Sequence, residues 1–170
     1  MKTAAPSTWV ERFAPLIAPA GAVLDLACGR GRHTRMLLAS EHNVTAVDRD
    51  LSGIADLVST DLERLETDLE GGAPWPFAGR RFAAVVVTNY LHRPLFPDLI
   101  ASLAPDGVLI YETFAHGNER FGKPRNPDFL LKPGELLEIA RDGALRVIGY
   151  EDVEISEPRQ ACVQRIAAQH

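Results

Sequence analysis

The chain has 170 residues, which suits one domain and leaves no room for a second full core. Hydrophobic residues make up 46% and charged residues 24%, a composition that excludes a disordered or low-complexity chain. The formal net charge of −5 argues against a general nucleic-acid binder, which would carry a basic field.

The elements follow in chain order. Residues 7–18 predict a short helix with Ser7 or Thr8 as N-cap, ended by Pro19 and Gly21. Residues 22–27 form an apolar run of strand length, and Cys28 to Arg32 a glycine-bearing turn. A helix over 34–40 and a strand over 43–48 come next. Leu51, Ile54, Leu57 and Val58 recur at helical spacing and predict a second helix there. Residues 65–69 read as a weak third strand, and 82–88 (FAAVVVT) as the strongest, apolar on both faces. Phe96, Leu99, Ile100 and Leu103 mark a helix with Pro94 near its start. A Pro105-Asp106-Gly107 turn then leads into a strand over 108–114. A long polar segment, 115–132, precedes a helix over 133–140 and two closing strands, 145–155 and 160–167.

Alternating strands and helices with doubly apolar strands imply a mostly parallel sheet covered by helices on both faces. The two closing strands, joined by a short connection, are expected to be antiparallel. Cys28 and Cys162 lie far apart and lack metal-ligand spacing, so neither a disulfide framework nor a metal is expected. The apolar stretch 14–27 is broken by Pro15, Pro19, Gly21 and Asp25. It is therefore neither a signal region nor a membrane span, and a cytoplasmic address is the expectation.

Ligands of such sheets bind at the carboxyl ends of the strands. The first strand runs out into Asp25-Leu26-Ala27-Cys28-Gly29-Arg30-Gly31. Gly29 and Gly31 let backbone approach a ligand closely, although the pair alone also fits a plain structural turn or a dinucleotide site. The second strand ends in Asp48, about 20 residues on, where an acid suits ribose hydroxyls. The third ends in Asp68-Leu69, an acceptor for an adenine amino group beside an apolar contact for the ring. The fourth ends in Thr88-Asn89-Tyr90-Leu91-His92-Arg93, polar and aromatic groups that suggest a cleft. For each of these residues, taken singly, an ordinary loop or capping role is also open.

The order of these signals carries a resemblance. VLDLACGRGRHT resembles the first motif of class I S-adenosylmethionine (SAM)-dependent methyltransferases, AVDRD their second, TDLE their adenine-side motif and VVVTNYLHR their fourth. LAPDGVLIYETF is similar to their fifth strand with its preceding turn. Among subfamilies the likeness is to small bacterial enzymes of the tellurite-resistance type. The resemblance implies a Rossmann-like, doubly wound, seven-stranded sheet with SAM as cofactor. It implies that Ala27, Gly29 and Gly31 lie along the methionine and ribose of SAM, and that Asp25 reaches the methionine ammonium through water. It further implies Asp48 on the ribose, Asp68 and Leu69 at adenine, and Asn89 beside the methyl end.

Chemistry favours SAM over NAD, because SAM carries a sulfonium and an ammonium but no phosphate, and suits a pocket edged by Asp25, Asp48 and Asp68. Tyr90, His92, Arg93 and His116 are the candidates on the acceptor side, with His92 as a possible general base. Cys28 reads as a small turn residue rather than a nucleophile, since no partner base is evident. The segment 112–133 is expected to act as a lid or substrate wall, being long and leaving a strand on the cofactor side. A small-molecule acceptor, no nucleic-acid or membrane partner, and a monomer or homodimer are the expectations for partners. A SAM-binding regulatory module and an NAD-dependent oxidoreductase are the rival readings.

Overall fold

The computed structural model describes residues 4–170 and builds them around one seven-stranded sheet. The strands are β1 (Ala22–Leu26), β2 (Asn43–Asp48), β3 (Leu62–Glu66), β4 (Phe82–Thr88), β5 (Leu103–Phe114), β6 (Arg146–Ile155) and β7 (Ala161–Gln169). Their order across the sheet is β3-β2-β1-β4-β5-β7-β6. The first five run parallel, and β7 pairs antiparallel with both β5 and β6. The chain thus builds outward from β1 to β3, then crosses back to place β4 on the other side of β1. That reversal opens a crevice at the carboxyl ends of β1 and β4, where doubly wound sheets bind ligands.

Side-chain alternation divides the core in two. Val85 and Val87 of β4 join Leu24, Leu26, Leu109 and Tyr111 on one face. Ala84 and Val86 join Val23, Val108 and Ile110 on the other. Helices α1 (Thr8–Phe13) and α2 (Arg32–Ala39) cover the second face through Trp9, Val10, Phe13 and Leu37. Helices α3 (Phe96–Ala101) and α4 (Glu135–Asp142) cover the first through Phe96, Leu99, Leu136 and Ala140. The expected mixed sheet with helices on both faces is therefore present, and the closing pair is antiparallel.

Several boundaries differ from the sequence reading, each for a physical reason. Ser7 caps α1, its hydroxyl accepting from the amides of Trp9 and Val10. The helix stops at Phe13 because Pro15 has no amide to donate, and a 3-10 turn, Ala14–Leu16, follows. The helix expected around 51–58 is a single 3-10 turn, Ser52–Ile54. Only Ile54 of its apolar set is fully buried, while Val58 is 96% exposed. The guanidinium of Arg64 takes the carbonyls of Ile54 and Leu57, which a helix would have used internally.

Strand β3 lies earlier than its apolar residues suggested. Pairing with β2, from Val44 opposite Leu62 to Asp48 opposite Glu66, sets its register. As an edge strand it carries exposed charges, which hide its period and discourage pairing with other chains. The connection from β3 to β4, residues 67–81, contains no helix. Trp75 and Phe77 fill that place, with ring centroids 5.2 Å apart, and Phe77 meets Phe82 edge-on at 5.7 Å. The Pro105-Asp106-Gly107 turn is an irregularity within β5, because Leu103 pairs with Phe82 and the next pair is Val108 with Ala84. Among the described residues no helix is long and apolar enough to cross a membrane.

Candidate cofactor and acceptor site

Strand β1 delivers a buried acid and then a turn of left-handed backbone. Asp25 is 2% exposed, and its Oδ2 accepts from the Thr34 hydroxyl at 2.5 Å. Burial pushes its pKa up to about 6, against the pull of the Thr34 hydrogen bonds and the Arg32 charge. Ala27, Gly29 and Gly31 then take φ of 53°, 53° and 71°. Gly31 needs to be glycine twice over, since a Cβ there would stand 2.2 Å from Cγ2 of Ile54. At Gly29 nothing lies within 4 Å of where a Cβ would project, so this side of the turn is open to a ligand.

Asp48 closes β2 and ties the turn to it. Its Oδ2 accepts from the amide of Gly29 at 2.8 Å and its Oδ1 from the amide of Asp50 at 3.2 Å. Beside it lies a cavity of about 410 Å³ walled by Ala27, Asp48, Asp68, Leu69, Asn89 and Tyr90, with Arg49, Thr67 and Glu70 completing it. The candidates from four different strand ends thus meet around one space. Asp25, Gly29 and Gly31 are outside the wall itself, below and beside it in the turn. Arg49 and Glu70 were missed in the sequence, although each directly follows a residue singled out there.

Asn89 enters the wall through an unusual backbone, φ 55°, held by its amide donating to the Glu112 carbonyl at 2.9 Å. Below it, the buried hydroxyl of Tyr111 donates to the Tyr90 carbonyl at 2.6 Å and fixes the turn's height. The Tyr90 phenol is pushed up by burial, then by the carboxylates of Glu70, Asp68 and Asp48, and stays protonated. The Cys28 thiol is pushed up to about 12 by burial and by Asp25 and Asp48, which makes it inert as a nucleophile.

One acceptor-side candidate has other work. Arg93 is a clasp: its Nε and Nη2 bind Glu135 at 2.6 and 3.0 Å, and its Nη1 and Nη2 reach the carbonyls of Asp128 and Leu130. Its donors are committed to holding the segment after β5, which corrects its placement among the reacting groups. His92 lines a cavity of about 220 Å³ together with Trp75 and Asp98, which shares Thr67, Asp68, Leu69 and Glu70 with the main one. Tyr90 remains in the main wall, and His116 is exposed at the start of the post-β5 segment.

That segment is stitched down. The amide of Ala115 donates to Cys162 and that of His116 to Leu131, while buried Asn118 bonds both Pro124 and Cys162. Leu130 and Leu131 are buried. These contacts hold the segment against β7.

A polar network missed in the sequence lies under α1. The Ser7 hydroxyl donates to Glu112 Oε1 at 2.7 Å, and Arg165 grips Glu112 at 3.0 Å and Glu151 at 2.6 Å. The Ser7 amide donates to His33 Nε2 at 3.0 Å. Burial, helped by Arg32, lowers His33 to about 3 and keeps it neutral. One signal was available: Glu112 interrupts an otherwise apolar strand. Among the described residues no group of His, Cys, Asp and Glu could hold a metal ion.

A parallel sheet with its order reversed beside β1, a glycine turn at that point and acids closing the next two strands define the class I methyltransferase frame. The methyltransferase-domain family model matches residues 23–107, half of the chain, and the chain belongs to that family. No curated protein matches its sequence significantly.

Solved structures share the fold at low identity. TehB from Haemophilus influenzae superposes with a TM-score of 0.76 and 20% identity, covering 98% of this chain and 63% of TehB. This chain therefore spans less than two thirds of TehB. A SAM-dependent methyltransferase from Mesorhizobium loti gives 0.72 at 14% identity, covering 94% of this chain and 96% of that one. The 1,6-didemethyltoxoflavin-N1-methyltransferase of Burkholderia thailandensis gives 0.65 at 22%, covering 95% and 75%, and was solved with 1,6-didemethyltoxoflavin and S-adenosylhomocysteine bound.

Proposed function

We propose that residues 1–170 form a single SAM-binding domain that transfers the methyl group to a small-molecule acceptor by in-line displacement. Residues 1–3 of that domain lie outside the described ones. The observation that carries this reading is the single cavity joining Ala27, Asp48, Asp68, Leu69 and Asn89 from successive strand ends.

The donor would lie across the carboxyl ends of β3, β2, β1 and β4. Asp68 faces the adenine amino group with Leu69 against the ring. Asp48, already oriented by two backbone amides, accepts from the ribose hydroxyls. Ala27, Gly29 and Gly31 give backbone access to the methionine part, and Asp25 reaches its ammonium through water. Asn89 borders the methyl group. SAM supplies a methyl group already activated on a sulfonium; the carbon–sulfur bond breaks as the bond to the acceptor forms. The protein's task is alignment, which the fixed Asn89–Tyr90 turn and the stitched segment after β5 can supply.

Tyr90, His92 and His116 are the acceptor-side residues of this proposal. A small acceptor is supported by the small ligand of the Burkholderia thailandensis structure. The net charge of −5 weighs against nucleic acid. Two free, buried cysteines suit a cytoplasmic address, and a monomer or homodimer is proposed. The test is calorimetric titration with S-adenosylhomocysteine, with NAD in parallel. Micromolar binding of the first alone supports the reading; binding of NAD instead would overturn it.

A further inference from the structure

We propose that the methyl acceptor carries a carboxylate or phosphate group and that Arg159 receives it. This deepens the acceptor reading above and rests on it. The charge of the chain is unevenly spread. In a chain of net −5, the two connections at the carboxyl end of β5, residues 115–132 and 156–160, contain five full cations, Arg120, Lys123, Arg125, Lys132 and Arg159, against three acids. Both connections lie on the rim where the main cavity opens. Strand β5 neighbours β4, Asn89 of the cavity wall donates its amide to the Glu112 carbonyl, and Phe114 is two residues further along. Phe114 in turn pairs with Val163 of β7, just past the second connection. The β3 side of the cavity is edged instead by the acids Asp68 and Glu70.

Arg159 is the unpaired cation with a fixed place. Its guanidinium lies over the ring of Phe114, 5.0 Å from the centroid, and its Nη2 donates to the Lys123 carbonyl at 3.1 Å. Stacking occupies the flat face of the group and leaves N–H donors at its edge. Glu112 and Phe114, two apart in β5, project to the same side of the sheet. Glu112 meets Ser7 at the start of α1 on that side, so Arg159 stands over the face that α1 and α2 cover. Arg159, Lys123 and Arg125 are exposed, and among the described residues none of the three forms an ion pair. Arg120, by contrast, is held by Glu154 at 2.5 Å. Unneutralised cations at this rim of an acidic protein favour an anion over a neutral or cationic group. The planar fork of Arg159 matches two oxygens of a carboxylate or phosphate, and Lys123 and Arg125 add an attraction that salt screens.

The test is calorimetric titration of the whole chain, saturated with S-adenosylhomocysteine, with inorganic phosphate and with acetate as probes. The proteins are the unaltered chain, Arg159→Gln, Arg159→Lys and Arg141→Gln, the last removing an exposed cation in the final turn of α4. Saturable binding of at least one probe is expected, and the tighter of the two assigns the group as phosphate or carboxylate. Arg159→Gln should weaken that binding roughly tenfold, Arg159→Lys by less, and Arg141→Gln should leave it unchanged. Affinity for S-adenosylhomocysteine should stay within about twofold in every variant, since Arg159 is assigned to the acceptor and not to the donor. Binding of neither probe, binding indifferent to Arg159→Gln, or an equal loss in Arg141→Gln would overturn the assignment. Failure of the unaltered protein to bind S-adenosylhomocysteine is a distinguishable result. It would defeat the cofactor reading and with it the acceptor role of Arg159, even if phosphate titrated into the free protein still bound at this rim.

Discussion

The connection from β1 to β2 and the two connections that lead on to β4 solve the same packing problem differently. The first is a helix, α2, with Leu37 sealed into the core. The second and third are a 3-10 turn and a loop, with Ile54 and then Phe77 as the buried plugs. On the helical side, backbone groups are satisfied within the helix. On the other side a side chain meets them: Arg64 takes the Ile54 and Leu57 carbonyls. The difference teaches that the β3 side of the cleft owes its shape to a few anchors, while the turn side owes its shape to regular structure.

Removing an anchor should show this most strongly. Phe77→Ala is expected to cost about 3–5 kcal/mol, since a fully buried ring would leave a cavity. Leu37→Ala is expected to cost about 2–5 kcal/mol by the same mechanism. The two should separate in binding. Phe77 belongs to the loop that carries Asp68, so S-adenosylhomocysteine affinity should fall in its variant and hold in Leu37→Ala. Urea unfolding and calorimetry on both variants read the two effects, and equal affinity losses would erase the comparison.

Asp48 joins the two sides, and its loss should come next. Asp48→Ala removes the proposed ribose acceptor and frees the Gly29 amide. Charge-assisted hydrogen bonds of about 1.5–3 kcal/mol make a loss of affinity on the order of 100-fold the expectation. Gly31→Ala tests the same joint from the other direction. Its Cβ would collide with Ile54, and overpacking of this kind costs about 1–3 kcal/mol. Pairing it with Ile54→Val should recover part of the melting temperature, and no recovery would show that the backbone conformation alone sets the cost.

The same contrast governs what the sequence revealed. Around β1, β2 and β4, local patterns and the glycine turn agree with the final structure, because those elements are decided by their own periodicity. The helix expected over 51–58 failed where tertiary partners overrode it: Gly53 lies so close to the Gly29 carbonyl that a Cβ would sit 2.7 Å from it, and Arg64 captures the carbonyls. The meeting of Asp48, Asp68 and Asn89 around one cavity was legible because each lies just at or past a strand end. The commitments of Arg93 and His92 were not, since nothing local places Glu135 opposite Arg93 or folds Trp75 toward His92. Ser7, His33, Glu112 and Arg165 were missed for the same reason, being brought together from four separate elements.

The smallest expected effect concerns protons on the turn side. Asp25 is raised from an ordinary 3.8 to about 6, so in the free protein it takes up a proton as pH falls through about 6. In the proposed placement, the ionised form is the one that attracts the donor's ammonium. S-adenosylhomocysteine affinity should therefore be level above pH 6 and weaken below it, by at most about tenfold per unit. Stability is a poorer readout of this proton, because two buried groups oppose each other. A raised carboxyl favours the folded state at low pH and loses that contribution as pH rises past 3.8 and through about 6. His33, lowered to about 3, works the other way: its contribution is present above 6.5 and is lost as pH falls toward 3. Binding isolates Asp25 from that compensation. Calorimetry from pH 5 to 8 (on the order of one proton exchanged at the acid end) should show the slope in the unaltered protein and a flat line in Asp25→Asn. A slope that survives in Asp25→Asn would assign the proton to another group and remove Asp25 from the ammonium's surroundings.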